Sequence, residues 1–294
     1  MTKEMDRSVA DFFAAHSTAT LSDARDHLLD TFGGNGDIGI STIDDHLKEM
    51  GISLKRVRRE VSEQNMPTTR ALRKAYVAKW KMDGGHLEHV FVDESAFQWS
   101  LRRKVGRAPK GKRAVVPVPA ITGGHISVAI AISAERGLIA SKMVAGRAFN
   151  GTLYADFMRT IMEKAHAPGK TRAVIISDNA AFHRAAPVLE AARDHHDYSY
   201  RNLPPYTPQL NPCEGAFGWM KVKVARDLTE SFPDHICRVQ IAKRVGRATS
   251  ERLAIVEEAV RRAMMTLTPY LCRRWESHTL TFHDACTKGQ VLSL

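Results

Sequence analysis

The sequence of 294 residues contains no long apolar run and only four cysteines. No stretch approaches the ~18 consecutive apolar residues of a membrane helix, and no charged-then-apolar leader marks a secretory signal peptide. The cysteines show no CxxC pair or other spacing typical of zinc ligands, so we interpret them as free thiols in a reducing compartment. These absences argue against a membrane protein, a disulfide scaffold and a cysteine-ligated zinc protein.

Acidic residues are scarce after the first 50 positions. The chain carries 43 Lys and Arg against 32 Asp and Glu, a net charge of +11. Residues 1–50 hold four basic and ten acidic residues (4 − 10 = −6), so residues 51–294 carry +17. A basic body of this kind favours a polyanionic partner, most often nucleic acid. A cationic protein without such a partner is the alternative.

The length suits one large domain or two smaller ones, and three regions are predicted. Residues 1–66 read as helices around a glycine-rich turn at 33–39, a pattern typical of a small helix-turn-helix domain. Its helix Ser41–Met50 carries three carboxylates that would repel phosphate. Sequence-specific DNA binding by this helix and a role in packing or oligomerisation therefore both remain possible interpretations. Residues 67–85 are predicted as a basic helical connector, and residues 86–294 as the main domain.

Residues 86–294 show the pattern of an α/β domain with a mixed sheet. Short apolar runs of strand type alternate with amphipathic helices, and a turn at 134–137 joins two strands into a hairpin. The predicted strands are His89–Asp93, Ile126–Ile132, Leu138–Val144, Ala173–Ser177 and Tyr198–Leu203. The predicted helices are Phe149–Ala165, Pro187–His195 and Arg252–Met265, besides one that begins at Asn211.

The stretch from Leu203 to Lys221 organises this domain. Three prolines within five positions hold the chain extended and exclude a helix there. Asn211 followed by Pro212 is a favourable helix start, so a helix is predicted from here towards Arg226. Glu214 then lies in the first turn, either as a capping-box partner of Asn211 or as a carboxylate directed towards a site.

Asp93 and Asp178 each follow an apolar strand, where ligands and metals gather in α/β sheets. Asp178 could instead cap a helix, but Pro187 places the next helix start several residues later. Only one of Asp93 and Glu94 can point into a site, because alternate strand residues face opposite sides. Glu94 is predicted to lie at the surface or to support the ligands from behind. Three converging carboxylates would repel one another unless divalent cations bind between them. Mg²⁺ prefers such oxygen ligands, and two ions about 3.5–4 Å apart suit an in-line displacement at phosphorus.

Three blocks carry a family resemblance: VDESAF (92–97), SDNAAFH (177–183) and LPPYTPQLNPCEGAFGWMK (203–221). They resemble the signature blocks of mariner-type DDE transposases and the allied bacterial insertion-sequence transposases. The basic GRAPKGKR (106–113) is also similar, and the likeness covers roughly residues 88–275. The third block, with its PPYTPQLNP run, is the most specific of them.

The resemblance implies an RNase H-like fold with a mixed five-stranded sheet flanked by helices. It implies that Asp93, Asp178 and Glu214 are the catalytic, metal-binding acids, with 214 − 178 − 1 = 35 residues between the last two. The expected cofactor is Mg²⁺, for which Mn²⁺ substitutes. The expected chemistry is hydrolysis at transposon ends, freeing a 3′-OH that attacks target DNA in cut-and-paste transposition.

Further residues are expected around the acids and on the DNA. Asn179 and His183 match the second block and are expected beside the acids. For His183, a structural or phosphate-contacting role is favoured over that of a general base. Lys221 lies two turns beyond Glu214 and either touches phosphate or is simply solvated. The expected DNA-binding residues are Lys55, Arg56, Arg58, Arg59, Arg102, Arg103, Lys104, Arg107, Lys110, Lys112, Arg113 and Lys221.

The expected partner is double-stranded DNA, namely the terminal inverted repeats and the target. A homodimer is expected because two ends must be brought together, and no membrane partner is expected. The location would be the nucleus in a eukaryote, or the cytoplasm and nucleoid in a bacterium. The N-terminal region departs from the family, which usually carries two helix-turn-helix units. A domesticated derivative that binds DNA without cutting it, and another RNase H-like metal-dependent nuclease, are therefore the alternatives.

Overall fold

The computed structural model describes residues 1–57, 61–103, 105–116, 118, 124–164, 170, 172–180 and 197–292. The chain divides into two compact units, Met1–Glu60 and Val61–Leu294. This division falls ahead of the boundary predicted after residue 66. Among the helices of the described residues, none is both long and apolar enough to cross a membrane.

In its described residues, 1–57, the first unit contains three α-helices around a small apolar core. Thr20 and Asp23 form a reciprocal capping box that starts the second helix. A Cβ atom at Gly36 would lie 2.0 Å from the carbonyl oxygen of Leu28, so only glycine fits the turn before the third helix. The unit is all-helical, as predicted. Its helices are α1 (Lys3–Ala15), α2 (Leu21–Phe32) and α3 (Ile40–Glu49).

The second unit contains a mixed five-stranded sheet in the order β3-β2-β1-β4-β5. The pairs β1–β2 and β2–β3 are antiparallel, whereas β1–β4 and β4–β5 are parallel. The strands are β1 (Leu87–Gln98), β2 (His125–Ser133), β3 (Gly137–Ala145), β4 (Arg172–Ser177) and β5 (Tyr198–Asn202). This arrangement confirms the predicted fold class.

Strand β1 is longer than predicted, and this changes the position of Asp93. The parallel ladder with β4 ends at Val92 opposite Ser177, but the antiparallel ladder with β2 continues to Gln98. The prediction that Asp93 ends its strand was therefore wrong. Asp93 lies in the middle of β1, one residue beyond its last pair with β4. It is therefore still at the edge of the sheet where β4 ends.

Helices cover both faces of the sheet. Phe157 and Ile161 of α5 (Gly151–Met162) pack on the face that holds Val90 and Val92. Helices α6 (Pro212–Glu230) and α8 (Ala248–Met264) pack on the other face. Helix α4, predicted as a connector, buries residues in that second core. The helices are α4 (Pro67–Asp83), α5 (Gly151–Met162), α6 (Pro212–Glu230), α7 (Phe232–Lys243), α8 (Ala248–Met264), α9 (Pro269–Leu280) and α10 (His283–Thr287). The helix predicted at Pro187–His195 lies outside the described residues.

Candidate active site

A cavity of about 650 Å³ is lined by all three acids singled out in the sequence. Asp93 comes from β1, Asp178 follows the last residue of β4, and Glu214 lies in the first turn of α6. The structure therefore brings together side chains from three distant segments. Glu94 and Asn179 line the same cavity.

Asp93 is partly buried, and both of its carboxylate oxygens accept hydrogen bonds. The backbone N–H of Glu94 donates to Oδ1 at 2.7 Å, and Nδ2 of Asn211 donates to Oδ2 at 2.8 Å. Burial, together with the negative charge of Glu94, raises the pKa of Asp93 to about 8. The charges of Asp178 and Glu214 also raise this pKa by smaller amounts, whereas the hydrogen bond from the Glu94 amide lowers it. The negative charges of the neighbouring acids therefore oppose ionisation of Asp93.

Asp178 is held by the turn that follows β4. The backbone N–H of Ala180 donates to its Oδ1 at 3.0 Å. The preceding residue, Ser177, is buried and hydrogen-bonds the hydroxyl of Tyr200. Burial, with a smaller effect of the Asp178 charge, raises the pKa of Tyr200 to about 12. The end of β4 thus sets the direction of the Asp178 carboxylate.

Glu214 is exposed to the cavity and takes no part in a capping box. The backbone N–H of Asn211, which a capping-box glutamate would bind, donates instead to the carbonyl of Pro208 at 2.9 Å. Helix α6 is capped by Oδ1 of Asn211, which accepts from the N–H of Cys213 at 3.0 Å. Of the two interpretations left open by the sequence, the capping box is therefore excluded, and Glu214 lines the cavity.

Asn211 joins the start of α6 to Asp93, a role that the sequence did not reveal. Its oxygen caps the helix while its amide nitrogen holds Asp93, and only 5% of the residue is exposed. The Asn-Pro helix start was visible in the sequence, but the partner of its amide group lies 118 positions earlier. One side chain thus fixes the first acid relative to the helix that carries the third.

Replacing Asn211 with serine is expected to lower the affinity for divalent metal about 10- to 100-fold, as is usual when a group orienting a metal ligand is removed. Serine still caps α6 but does not supply the amide donor to Asp93. Metal titration by calorimetry measures the effect. Asn150→Ser is the matched control, because Asn150 also caps a helix through Leu153. Equal metal affinity in the two variants would contradict the positioning role.

The donor set suits a hard divalent cation. All three candidate ligands are carboxylates, which Mg²⁺ and Mn²⁺ prefer, and their mutual repulsion is what a bound cation would relieve. Within the described ranges, no group of three or more His, Cys, Asp or Glu side chains forms a ready-made metal site. The residues fit the cation by chemistry and by their shared cavity.

The predicted DNA-binding residues fall into three places. Lys55 and Arg56 are exposed in the first unit, and Lys221 is partly exposed on α6. An exposed basic loop follows β1 and is formed by Arg103, Arg107, Lys110, Lys112 and Arg113. The predictions for Arg58, Arg59, Lys104 and His183 lie outside the described residues.

Arg102 differs from the other residues of this loop. Its guanidinium lies 5.0 Å from the ring centre of Phe232 and 5.9 Å from that of Trp99. Its Nη1 donates to the carbonyl oxygens of Trp99 and Leu101, and burial lowers its pKa. Arg102 therefore anchors the base of the loop, and its guanidinium does not lie free at the surface as the prediction of a DNA-binding residue requires.

The loop that forms one wall of the cavity is held by a buried arginine. Arg73 of α4 is fully buried; its Nε donates to Oγ1 of Thr207 at 3.0 Å, and its Nη2 donates to the carbonyl of Tyr206 at 3.3 Å. Its Nη1 donates to Oδ1 of Asn65, which also accepts from the N–H of Leu292. In the sequence Arg73 was one of several basic residues on α4, and nothing marked it as buried.

A family model described as "DDE superfamily endonuclease" matches residues 88–237, just over half of the chain. The chain belongs to the DDE superfamily of endonucleases. The matched region contains all three acids and the strands and helix that carry them. No curated protein matches the sequence significantly.

Solved structures of Mos1 transposase have the same fold. A paired-end complex with the left transposon end aligns with TM-score 0.68 at 15% identity, covering 96% of this chain and 77% of that one. A strand transfer complex aligns with TM-score 0.67 at 15% identity, covering 98% and 79%. A paired end complex with Mg aligns with TM-score 0.60 at 15% identity, covering 98% and 80%. The family match and this fold agree with the resemblance to mariner-type DDE transposases.

Proposed function

We propose that this DDE-superfamily endonuclease is a cut-and-paste DNA transposase whose Asp93, Asp178 and Glu214 hold two divalent cations. The observation that carries the proposal is that these three acids, from separate segments, line one cavity in the domain that matches the family. The Mos1 structures with Mg and with Mn support Mg²⁺ as the metal here, with Mn²⁺ as a substitute.

The chain's own residues position the reacting groups. Asp93 is oriented by the Glu94 amide and the Asn211 side chain, and Asp178 by the Ala180 amide. The capped start of α6 presents Glu214 to the same cavity. When bound, divalent cations activate a nucleophilic oxygen and stabilise the leaving oxygen at phosphorus. Asn179 lies at the cavity beside Asp178, where we propose that it supports the bound phosphodiester.

Double-stranded DNA is the proposed substrate, as terminal inverted repeats and as target. The exposed basic loop after β1 binds phosphates in this proposal, and Mos1 was solved with a transposon end and in a strand transfer complex. A homodimer is proposed because two ends must be cut and joined together.

The deciding experiment incubates the purified chain with DNA that carries the terminal repeats of its element, in Mg²⁺, Mn²⁺ or EDTA. Cleavage at the repeat ends in either metal, abolished in EDTA and in Glu214→Gln, is the expected result. Specific binding by the wild type without cutting favours a domesticated DNA-binding protein. Faster cutting of RNA or of RNA–DNA hybrids favours another nuclease on the same fold.

DNA binding is expected to weaken with salt, because neutralising phosphates releases counterions. The slope of log affinity against log salt should be about −0.9 per phosphate neutralised. Replacing the exposed Arg107, Lys110, Lys112 and Arg113 with alanine should make the slope less steep by about 0.9 for each phosphate that is no longer neutralised. Fluorescence anisotropy at several salt concentrations measures this, with Arg159→Ala on α5 as a control. A slope unchanged by the four substitutions would remove the loop from the DNA surface.

A further inference from the structure

Three side chains with hydroxyl groups meet between α5 and the end of β4. Tyr154 of α5 and Ser177 of β4 are fully buried, and Tyr200 of β5 packs against the same core. The Ser177 hydroxyl hydrogen-bonds that of Tyr200, and the Tyr154 hydroxyl interacts with both. None of the three is among the described residues that line the cavity of the acids. Their hydroxyls therefore serve something other than direct contact with a substrate.

The hydrogen bonds of this group run in one direction, towards Asp178. Ser177 Oγ lies 3.1 Å from the backbone carbonyl oxygen of Asp178. A carbonyl only accepts and a hydroxyl has one proton to donate, so Ser177 donates to Asp178 and accepts from Tyr200. Burial raises the pKa of Tyr200 to about 12, so its hydroxyl stays protonated and remains a donor. Hydrogen bonds arranged head to tail in this way strengthen one another in a protein interior.

The contact with Asp178 lies at the point where the pairing of β4 ends. Ser177 is the last residue that β4 pairs with β1 and with β5, and its carbonyl accepts from the N–H of Leu203 at 2.8 Å. Asp178 lies one residue beyond both ladders. The hydroxyl of Ser177 holds the carbonyl of Asp178, while the Ala180 amide holds its carboxylate. The backbone and the side chain of the second acid are thus held by separate groups.

We propose that Ser177 and Tyr200 are positioning residues, which hold the backbone of Asp178 in the orientation that cation binding requires, and that Tyr154 ties this pair to α5. This inference rests on the metal-binding role of the acids proposed above. Groups that orient a metal ligand typically change metal affinity 10- to 100-fold, although they do not touch the metal. The second acid is then controlled by side chains that lie outside the cavity.

Ser177→Ala removes the donor to the Asp178 carbonyl and is expected to lower the affinity for Mn²⁺ about 10-fold. The loss lies at the lower end of the usual range because the serine acts on the backbone and not on the carboxylate. Ser133→Ala is the matched control, since Ser133 is also buried on a strand and its hydroxyl donates to Glu88 at 2.6 Å. Both variants should unfold at a lower temperature, but only Ser177→Ala should bind metal more weakly. Calorimetric titration of the full chain with Mn²⁺ measures the affinity.

Tyr200→Phe keeps the ring and removes only the hydroxyl that donates to Ser177. It should weaken metal binding in the same direction but less than Ser177→Ala. Tyr198→Phe, on the same strand, is its control, because that hydroxyl donates to the carbonyl of Lys164 instead. If Tyr200 acts through Ser177, the double variant should bind Mn²⁺ as weakly as Ser177→Ala and no more weakly, whereas independent effects would add.

Several outcomes would overturn the proposal. Wild-type metal affinity in Ser177→Ala, or an equal loss in Ser133→Ala, would remove the positioning role of the serine. Additive losses in the double variant would remove the action of Tyr200 through it. If Glu214→Gln loses Mn²⁺ affinity but Ser177→Ala does not, only the positioning fails. If the wild type neither binds Mn²⁺ nor cuts DNA in it, the metal-dependent transposase fails and the positioning with it.

Discussion

Asp178→Asn is expected to reduce metal-dependent cleavage by more than ~10³-fold, since removing even one electrostatic stabiliser costs about 10²–10³ in rate. The amide still accepts the Ala180 hydrogen bond, so the loop is retained. The same substitution should make the metal-free protein more stable, because the Asp178 charge contributes to the raised pKa of Asp93. Loss of activity would therefore accompany a gain in stability.

The gain in stability should depend on pH. Folding raises the pKa of Asp93 from 3.8 to about 8, so the wild type loses stability as pH rises between these values. Asp178→Asn lowers that folded-state pKa, and its advantage should be small near pH 5 and largest above about pH 8. We expect about 2–4 °C in Tm there, which corresponds to ~1 kcal/mol in a domain of this size.

Thermal unfolding in EDTA and in Mg²⁺ checks both effects. Mg²⁺ should raise the Tm of the wild type and have little effect on Asp178→Asn, because a ligand stabilises only the state that binds it. Glu163→Gln, an exposed carboxyl at the end of α5, is the matched control and should resemble the wild type. Wild-type cleavage by Asp178→Asn, or equal stabilisation of both proteins by Mg²⁺, would contradict the metal-binding role.

Gly215→Ala is expected to destabilise the protein by about 1–3 kcal/mol through overpacking. An added Cβ atom would lie 2.6 Å from Cδ1 and 2.7 Å from Cγ of Trp275, and that ring packs against the main core. Because Gly215 follows Glu214 directly, a shift of α6 away from Trp275 would also move the third acid. Cleavage should therefore fall together with stability.

Gly218→Ala on the same helix is the control, and its expected effect on stability has the opposite sign. Nothing lies within 4 Å of a Cβ atom at Gly218, so alanine should stabilise α6 by about 0.5–1 kcal/mol through its higher helix propensity. Urea unfolding midpoints of both variants measure the difference. If Gly215→Ala were as stable as Gly218→Ala, the contact with Trp275 would not limit the packing of α6.

The sequence predicted the parts of the fold that depend on local pattern. Apolar runs located strands β1 to β4, and the proline loop followed by Asn211-Pro212 located the start of α6. Strand β1 was predicted too short because its second half, from Asp93 to Gln98, contains polar residues that still pair with β2. Helix α7 was missed although Pro233 and Asp234 in its first turn are ordinary start signals.

The sequence allowed the acids of the candidate site to be predicted, but not the contacts that orient them. Asp93, Asp178 and Glu214 occupy short distinctive blocks, so their chemistry was visible. The contacts that orient them were not, because Asn211 reaches Asp93 across 118 positions and Arg73 reaches Thr207 across 134. Hydrogen bonds between such distant residues leave no periodic signal in the sequence. The sequence alone also does not distinguish a buried arginine from an exposed one.

The contacts of Arg73 also bear on how the protein should be handled in the laboratory. Leu292 is tied to Asn65, Asn65 to Arg73, and Arg73 to the Tyr206–Thr207 loop. An affinity tag or fluorescent fusion at the C-terminal end would therefore be attached close to a residue that three successive hydrogen-bonded contacts connect to the cavity wall. A label placed ahead of Met1 is attached to the other compact unit, whose residues take no part in this series of contacts.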